Sequence, residues 1–402
     1  MGYRYLVVGA GRQGVAAAYD LAARGQAEEV VIADLDLQAA RRASERVNRL
    51  LGGEAARPAV ADATCQVEMR ALLAQAHGML SAVPFHLNLQ LAHLAVESGV
   101  HMVDLGGHTG TVHRQLALQP AARDQGVTLV PDCGMGPGMN IAMAVAAMDL
   151  LDKPTQVRVY DGGLPQRPKP PWDYALSFHV GGLINEYQGD AHFLRDGEVT
   201  AVPALTELEE LEIPPLGRLE AFVTSGGLSV MPWNFRGRLQ VLENKTLRYP
   251  GHCARLQVLR DVGMFATRPV RVGEAEVAPH QVLAALLAPR LVDPQLRDVC
   301  VIHVRARGTR SGRPVEARVQ LVDRYDPDTG FLAMERLTGW HAAIVLAAAV
   351  RGKIPAGVVS VDQALSGEQI LAAAAARGWT VDRGVYTNQP AGHAQESNKE
   401  RR

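Results

Sequence analysis

The first third of the chain alternates short apolar runs with amphipathic stretches. The apolar runs are YRYLVVG, EVVIAD, PAVAD, MLSAV, VHMVDLG and VTLVPD, and segments such as RQGVAAAYDLAARG and DLQAARRASERVNRLLGG lie between them. Strands that alternate with helices of about 10–15 residues are typical of βαβ units, which form parallel sheets. The pattern ends near Asp132. It predicts an α/β, doubly wound parallel sheet over residues 1–135.

A different pattern follows Asp132. Longer strand-like runs appear in QVRVYDGG, KTLRYPG, CVIHVRARG and VEARVQLVDRY, and the last two flank TRSGR, which is typical of a hairpin turn. Helical patterns lie among them in GPGMNIAMAVAAMDLLD, HCARLQVLRDVGMF and HQVLAALLAPRL. We therefore predict an inserted α+β domain over residues 136–337. The apolar segment TGWHAAIVLAAAVRGKI then predicts a helix that returns to the first domain, which residues 338–386 complete. The polar tail, residues 387–402, is predicted to be disordered.

A glycine-rich turn joins the first predicted strand to the first predicted helix. In GAGRQG, the first glycine permits a tight turn, the second lets a pyrophosphate approach the backbone, and the third allows close helix packing. The phosphates would then bind to free N–H groups at the positive end of the helix. The predicted dinucleotide-binding residues are Gly9, Ala10, Gly11, Arg12, Gln13 and Gly14.

An acidic residue at the end of the second strand indicates which dinucleotide is bound. The motif alone is weak, but Asp34 follows Gly14 by 20 residues, the offset expected for a ribose-binding acid. A carboxylate accepts hydrogen bonds from ribose hydroxyls and repels a 2′-phosphate, so NAD is predicted. Asp36 adds to this repulsion, whereas Arg41 and Arg42 keep NADP open as an alternative.

The ends of the other predicted strands should line the same crevice, because ligands bind outside the carboxyl ends of parallel strands. Asp62 is expected near the adenine, and Ala82, Val83 and Pro84 near the nicotinamide ribose. The next two strand ends carry Asp104, Gly106 and His108, and then Asp132 and Cys133. Each of these acids has an equally ordinary explanation as a helix cap.

Composition and charge exclude several classes of protein. Hydrophobic residues make up 47% of the 402, and the net charge is −1, so no electrostatic footprint for nucleic acid or an anionic membrane is present. The longest apolar run, AAIVLAAAV, is too short to cross a bilayer. The four cysteines lack metal-binding spacing, which favours reduced thiols. We expect no signal peptide and a cytoplasmic location.

Several motifs in order resemble one known family. VDLGGH, PDCGMGPGMN, YDGGLPQRPKPPWDY, LEAFVTSGG and NKTLRYPGH are similar to successive motifs of lysine 6-dehydrogenases, within the saccharopine dehydrogenase-like superfamily. The similarity runs from Met1 to about Val385. One departure is Cys133, where an aliphatic residue is expected. Saccharopine reductases also bring a cysteine near this region.

The resemblance implies an activity and an architecture. The activity is NAD-dependent oxidative deamination of the ε-amino group of L-lysine. It would yield 2-aminoadipate 6-semialdehyde, which cyclises to a piperideine carboxylate, together with ammonia and NADH. The architecture is a Rossmann domain with an inserted domain for substrate binding and oligomerisation, and the chain is expected to form a homo-oligomer, a dimer.

The stretch ENKTLRYPGH offers groups for an amino-acid substrate. Side chains alternate faces along a strand, so Lys245 and Leu247 share one face, and Thr246 and Arg248 share the other. Arg248 is expected to clamp the α-carboxylate bidentately. The other predicted members of this pocket are Thr224, Ser225, Gly226, Asp132 and His252, with Glu243 or Asp132 meeting the α-ammonium.

Amine oxidation also needs a proton acceptor. Free lysine has a pKa of ~10.4, so only about one molecule in 2,500 is neutral at pH 7, and an ammonium cannot release hydride from its carbon. The predicted catalytic residues are Asp104, His108 and Lys245, with His179 as a further choice. The histidines show no ligand spacing such as HxxxH, so no metal is predicted.

Three alternatives stay open. A saccharopine dehydrogenase would need further cations in the cleft, and Arg158, Arg167 and Lys169 are available. A spermidine-forming enzyme of the same superfamily would use NAD without net production of NADH. A redox-inactive NAD-binding sensor would need the glycine-rich turn but not the charged cluster around Arg248.

Overall fold

The computed structural model describes residues 2–387. The predicted tail, apart from Thr387, lies outside the described residues. The strands are β1 (Tyr3–Val8), β2 (Ala27–Asp34), β3 (Ala56–Val60), β4 (Gly78–Ser81), β5 (His101–Asp104), β6 (Thr128–Val130), β7 (Lys153–Pro165), β8 (Asp190–Arg195), β9 (Glu198–Pro203), β10 (Glu209–Ile213), β11 (Gly217–Phe222), β12 (Val241–Arg248), β13 (Val270–Val272), β14 (Ala275–Val277), β15 (Asp298–Arg310), β16 (Arg313–Arg324), β17 (Gly357–Val358) and β18 (Val381–Thr387). The helices are α1 (Arg12–Arg24), α2 (Leu37–Leu51), α3 (Gln66–Leu73), α4 (Asn88–Glu97), α5 (Thr109–Leu116), α6 (Gln119–Asp124), α7 (Met139–Met148), α8 (Val180–Glu186), α9 (Met231–Asn234), α10 (His252–Asp261), α11 (Pro279–Leu291), α12 (Ala333–Val350), α13 (Val361–Ala364) and α14 (Gly367–Ala375).

A seven-stranded parallel sheet organises the first third of the chain and includes β17 from near its C-terminal end. Its order is β17-β6-β5-β4-β1-β2-β3. The central strands are buried on both faces, as apolar runs such as YLVV and VVIA require when helices cover both sides of a sheet. Strands β1 to β3 extend the sheet in one direction. After β3 the chain crosses back to β4, which pairs with β1, and the later strands extend the sheet in the other direction. The predicted doubly wound fold is therefore confirmed. Ligands bind at this switch point in such folds.

A mixed sheet of nine strands forms the second layer. Its main path is β10-β11-β12-β7-β15-β16-β18, with β8 and β9 attached beside β12. β12 runs parallel to β7, whereas the long hairpin of β15 and β16 is antiparallel. Ser311 and Gly312 form its turn with φ of 50° and 72°, the conformation that a two-residue hairpin prefers. The predicted α+β character of this region is confirmed.

The segment after the inserted region divides between the two sheets. Helix α12 packs along α1 and beneath β4 and β5, and β17 joins the parallel sheet, as a return to the first domain requires. Strand β18 instead pairs with β16 in the nine-stranded sheet. We predicted that residues 338–386 return to the first domain. Helix α12 and strand β17 do so, but β18 does not. The outer edge of β16 has backbone hydrogen-bonding groups that β18 satisfies.

The structure contains no helix long and apolar enough to cross a bilayer within residues 2–387. The same residues hold no group of three or more His, Cys, Asp or Glu side chains arranged to bind a metal ion.

Candidate active site

The glycine-rich turn leaves an open cradle at the N-terminus of α1. Gly9 has φ of 108°, and a Cβ there would lie 2.7 Å from the carbonyl oxygen of Ala82. A Cβ on Gly14 would overlap the Gly9 carbonyl, whereas a Cβ on Gly11 would meet no heavy atom within 4 Å. Close packing thus requires a glycine at positions 9 and 14. At position 11 the absence of a side chain leaves open space above the turn. This is the arrangement that a pyrophosphate needs.

Asp34 closes the side of this cradle. Its Oδ2 accepts a hydrogen bond from the Ala10 amide at 2.8 Å, and its Oδ1 accepts one from the Asp36 amide at 3.0 Å. Each carboxylate oxygen keeps a second lone pair for a ribose hydroxyl. Asp36 caps α2 through the Gln38 amide and also lies 3.5 Å from Arg42. Arg42, one of the two arginines that kept NADP open, is therefore paired with an acid at this end of the sheet.

The residues after β3 and β4 occupy the predicted edge. Asp62 accepts hydrogen bonds from the amide and hydroxyl of Thr64 at 2.7 Å, which hold the pKa of this carboxyl below its usual range and form the turn that leads into α3. Ala82 lies against Gly9 and donates its amide to Val8. Val83 and Pro84 continue from it toward α4.

Asp104 holds the loop after β5 in place. Its carboxylate accepts from the amides of Gly106 at 2.9 Å and Asp132 at 3.2 Å, and from Gln115 Nε2 at 2.7 Å. Burial raises its pKa, although these three donors lower it. With its oxygens committed to the scaffold, Asp104 is a positioning group rather than the catalytic base that the sequence predicts.

His108 is the N-cap of α5, and Arg12 and Gln13 have partners in distant parts of the chain. The Nδ1 of His108 accepts from the Thr111 amide at 3.2 Å, and its exposed ring stacks on Phe85 with centroids 5.1 Å apart. Gln13 Nε2 donates to the Ser177 carbonyl at 3.2 Å, and exposed Arg12 lies 4.0 Å from Glu335. His108 has the role of a capping residue, and only its Nε2 remains for chemistry.

Asp132 has the features of a functional carboxyl group. Its φ is 61°, in the left-handed region that non-glycine residues rarely adopt, and it is 1% exposed. Its Oδ1 is buried without a hydrogen-bond partner among the described residues and lies against Gly106. Burial and then the charge of Asp104 raise its pKa to about 7, while the Ser229 hydroxyl and the Gly107 amide oppose the rise.

Cys133 is a core residue. It is fully buried in the main hydrophobic cluster, and its Sγ lies 3.3 Å from the Val130 carbonyl. Burial raises the pKa of its thiol well above the usual value. Cys133 was predicted to contact the cofactor, but its side chain lies instead among the apolar residues of the main cluster. His341 Nδ1 lies 2.9 Å from the Cys133 carbonyl oxygen.

Direct contacts join the edge of the parallel sheet to the nine-stranded layer. Asn185 Nδ2 donates to the Gly107 carbonyl at 2.8 Å. Asn140 Nδ2, near the start of α7, donates to the Gly227 carbonyl at 2.9 Å. We call the space between the dinucleotide cradle, the loop that carries Gly106 and Gly107, and the loop after β11 the crevice.

Arg248 lies at the second-layer side of this crevice. Its side chain is 4% exposed, and its Nη2 lies 3.6 Å from the Oε2 of Glu186. Its Nε donates to the Tyr187 hydroxyl at 3.3 Å, and its guanidinium lies 5.0 Å from the centroid of the Tyr174 ring. The Tyr187 hydroxyl also lies 2.9 Å from His252 Nε2. Burial, and then Arg248, lowers the pKa of His252 to about 3, so this imidazole is neutral.

A buried polar network continues from Arg248 along the same face of β12. The hydroxyls of Thr224 and Thr246 lie 2.6 Å apart. Asn244 donates to Asp161, which also lies 3.5 Å from Asn140 Nδ2. Burial raises the pKa of Asp161 to about 6, although both amides lower it.

The predicted loop after β11 reaches the end of α8. The Ser225 amide donates to the Glu186 carbonyl at 2.9 Å, and its hydroxyl donates to the Asn185 carbonyl at 2.9 Å. Gly226 has φ of 85° and open space around it. Hydrogen bonds therefore connect the loop that carries Thr224 and Ser225 with the end of α8 and with β12. The predicted substrate-binding role of Thr224, Ser225, Gly226, Asp132, Arg248 and His252 stays a prediction.

Lys245 and Glu243 lie on the opposite face of β12. Lys245 Nζ lies 2.9 Å from Glu209 and 2.8 Å from the Glu207 carbonyl, and Glu243 pairs with Arg158 at 3.1 Å. The structure contradicts the catalytic role predicted for Lys245, because an offset of three residues from Arg248 reverses the face of a strand. Glu243 also lies on the face opposite Arg248, so it is not placed to contact the substrate α-ammonium group.

The remaining alternatives lie away from the crevice. His179 is exposed and caps α8 by accepting from the Gly181 amide at 3.0 Å. Lys169 is exposed and pairs with Asp293 at 2.7 Å. Arg167 is exposed and Arg158 lies on the far face of the sheet.

Sequence reasoning missed Glu186, Tyr187, Asn185 and Asp161. Asp161 belongs to the quoted motif YDGGLPQ, and alternation from Arg248 would have indicated Asn244. No local pattern marks Glu186, because α8 is a short turn in a segment without clear periodicity.

Comparison with known proteins identifies the family. A model described as the saccharopine dehydrogenase NADP binding domain matches residues 5–130, and one described as the saccharopine dehydrogenase C-terminal domain matches residues 134–378. The chain belongs to the saccharopine dehydrogenase family. Its first domain is therefore a pyridine-nucleotide-binding domain.

Two curated relatives are distant and longer. The NADP⁺-dependent, L-glutamate-forming saccharopine dehydrogenase of Pyricularia oryzae is 24% identical over 197 residues, which are 47% of this chain and 43% of that protein. The mitochondrial alpha-aminoadipic semialdehyde synthase of Mus musculus is 23% identical over 210 residues, 50% of this chain and 22% of that protein. The matches thus span less than half of either relative.

A solved structure extends the similarity to the whole fold. The L-Glu-forming saccharopine dehydrogenase of Saccharomyces cerevisiae superposes with a TM-score of 0.76 at 18% identity, over 96% of this chain and all of that chain. The saccharopine dehydrogenase fold is therefore shared.

Proposed function

We propose that this protein is an NAD-dependent amino-acid dehydrogenase that oxidatively deaminates the ε-amino group of L-lysine. The observation that carries the proposal is the charge of the crevice. Arg248 is its buried guanidinium and lies 3.6 Å from Glu186, while Asp161 on β7 and Asp132 after β6 are further buried carboxyl groups. Lysine brings one carboxylate and two amines, which this set complements.

The raised pKa values of these acids support a cationic ligand. Burial raises the pKa of Glu186 to about 7, against the opposing charge of Arg248, and that of Asp132 to the same value. An acid with a raised pKa gains a favourable partner when an ammonium group enters its site. Saccharopine carries more carboxylates than lysine. In this site the additional carboxylates would be repelled by three acids, and Arg248 is the one guanidinium that this proposal assigns to bind them.

The cofactor site fits a dinucleotide. The open space at Gly11 suits the pyrophosphate, the N-terminus of α1 suits its charge, and Asp34 offers acceptors to the adenosine ribose. The nicotinamide, when bound, accepts the hydride in this class of chemistry. The acceptors and charge of Asp34 favour NAD, with the further support that Asp36 holds Arg42 at 3.5 Å.

In this proposal Asp132 is the acid–base group. A pKa near 7 lets it exist as a carboxylate at the working pH and take a proton from the ε-ammonium. Its unpartnered Oδ1 supplies the acceptor, and Asp104 fixes its backbone through the 3.2 Å hydrogen bond from the Asp132 amide. The protonated Asp132 carboxyl group can then return the proton as water adds to the imine and ammonia leaves.

A saccharopine-forming or saccharopine-cleaving enzyme is the second candidate. The Pyricularia oryzae relative and the Saccharomyces cerevisiae structure carry that activity in their names, and one cation in the structure favours it. Arg255 follows Gly251 on α10, and its Nη1 is buried without a hydrogen-bond partner among the described residues. Arg255 is nevertheless paired with Asp173 at 3.4 Å, so a second substrate carboxylate would have to compete with that acid.

Absorbance at 340 nm distinguishes these candidates. Purified protein with NAD is mixed with L-lysine near pH 9–10, roughly the pKa region of the reacting amine. Steady NADH formation with lysine, and little with ornithine, is the expected result. No signal with lysine, together with NAD(P)H oxidation when glutamate and 2-aminoadipate 6-semialdehyde are supplied, would overturn the proposal in favour of saccharopine chemistry. We also propose a homo-oligomer, which light scattering of the same sample tests.

A further inference from the structure

Glu186 and Arg248 form a charge pair whose members differ in exposure. The Arg248 side chain is 4% exposed, and that of Glu186 is 29% exposed. Two edges of the guanidinium are already occupied: Nε donates to the Tyr187 hydroxyl, and Nη1 donates to the Leu247 carbonyl at 3.0 Å. The Nη2 edge, which faces Glu186, is the edge left for a ligand.

The contact between the two side chains is an open one. Their separation of 3.6 Å exceeds the 2.7–2.9 Å typical of a charge-assisted hydrogen bond. The acid therefore lies beside the guanidinium without saturating it. A ligand carboxylate can bind Nη2 while Glu186 stays within reach of a neighbouring positive group.

The backbone holds Glu186 in this position. Its carbonyl accepts the Ser225 amide, and the Ser225 hydroxyl binds the preceding Asn185 carbonyl, each at 2.9 Å. Asn185 in turn binds the Gly107 carbonyl at 2.8 Å. The end of α8 is thereby anchored to both walls of the crevice.

We infer that Glu186 is the specificity-determining residue for the α-ammonium group of the substrate, with Arg248 binding the adjacent α-carboxylate. This inference rests on the proposed function. The two side chains present opposite charges side by side, as the two charges of an α-amino acid require. The pair selects an α-amino acid over an ω-amino acid or a diamine, which offers only one of the two charges.

The test compares three amines in the full chain with NAD. L-lysine carries both α-groups, 6-aminohexanoate lacks the α-amine, and cadaverine lacks the carboxylate. In the wild type, kcat/KM for lysine should exceed that for 6-aminohexanoate by about 100-fold or more. A substrate without the α-ammonium group would leave the Glu186 carboxylate without its charged partner. Glu186→Gln should lower kcat/KM for lysine by about 100-fold and leave that for 6-aminohexanoate nearly unchanged.

The matched control is Glu243→Gln. Glu243 is also a half-buried acid paired with arginines, at 3.1 Å from Arg158 and 3.3 Å from Arg195, but it projects from the opposite face of β12. This variant should keep the ratio of the two substrates. Glu186→Asp should restore part of the preference, and circular dichroism melting checks that each variant is folded.

An unchanged ratio in Glu186→Gln would overturn the inference while leaving the proposed function intact. If the wild type oxidises none of the three amines, the proposed function fails. The inference is then decided by calorimetry with lysine and 6-aminohexanoate on the NADH-bound protein. In that experiment, tighter binding of lysine than of 6-aminohexanoate by the wild type, and equal binding of both by Glu186→Gln, would support the inference. Equal binding of both, or binding of neither, overturns it.

Discussion

Arg248 and Lys245 lie on the same strand, β12, and face opposite sides of the nine-stranded sheet. The guanidinium of Arg248 is buried beside Glu186 and Tyr187 at the crevice, whereas Lys245 Nζ binds Glu209 at 2.9 Å on the far side. Both are cations of one short motif, but only Arg248 can meet a ligand in the crevice.

This relationship predicts opposite results for the two cations. Arg248→Lys keeps the charge but loses the planar fork, so KM for lysine should rise by about 30-fold or more. Lys245→Ala should change kcat/KM by less than about threefold, because a partly exposed ion pair contributes little. Steady-state kinetics at 340 nm measure both. A large loss of activity in folded Lys245→Ala would contradict the face assignment.

Asp132→Asn should separate catalysis from binding. The amide keeps the shape of the side chain but cannot accept the proton, so kcat should fall by about 10²–10⁴-fold with little change in KM. In the wild type, kcat should rise from pH 7 to pH 10 as the base and the substrate amine lose their protons. A flat profile over this range would contradict a base in this role.

The stability of Asp132→Asn should depend on pH with a defined sign. The pKa of Asp132 is raised to about 7 from its usual 3.8. A raised pKa stabilises the folded state at low pH, and this contribution is lost as pH rises through 7. Asparagine does not ionise, so the variant does not lose this stability at high pH. The Tm of Asp132→Asn should therefore be higher than the Tm of the wild type at pH 9, and the two Tm values should be closer at pH 5. Asp62→Asn is the control, since the pKa of Asp62 is shifted in the opposite direction.

Gly11→Ala should weaken dinucleotide binding without unfolding the protein. Gly11 has φ of −71°, and a Cβ there meets no heavy atom within 4 Å, so Tm should stay within about one degree. The same methyl group would occupy the space that the pyrophosphate needs, and NADH affinity should fall by about tenfold or more. Fluorescence titration with NADH measures it. In Gly14→Ala, by contrast, the Cβ overlaps the Gly9 carbonyl, and a lower Tm is expected.

Asp34 should set the preference for NAD. The wild type should bind NADH at least about tenfold more tightly than NADPH, because the 2′-phosphate would lie against a carboxylate. Asp34→Ser should narrow this difference mainly by weakening NADH. The comparison of the two titrations decides the point, and tighter binding of NADPH by the wild type would show that Arg42 rather than Asp34 governs the site.

The sequence by itself determined the parallel sheet, the dinucleotide turn and most of the strands. These features arise from local signals: the period of apolar residues, the glycines that a tight turn needs, and an acid at a fixed offset. Strand alternation alone also places Arg248 and Lys245 on opposite faces of one strand. The order of the motifs likewise predicts Thr224, Ser225, Gly226 and Arg248 as members of one pocket.

Only the tertiary structure decided which groups face one another. Alternation shows that two faces exist, but packing of the two layers decides which face meets the crevice. It buried Cys133, committed Asp104 to the scaffold and left Asp132 with a raised pKa. It also brought Glu186 to Arg248 across 62 positions of the chain. Burial and long-range contacts set charge and pKa, and neither is a property of a short stretch of sequence.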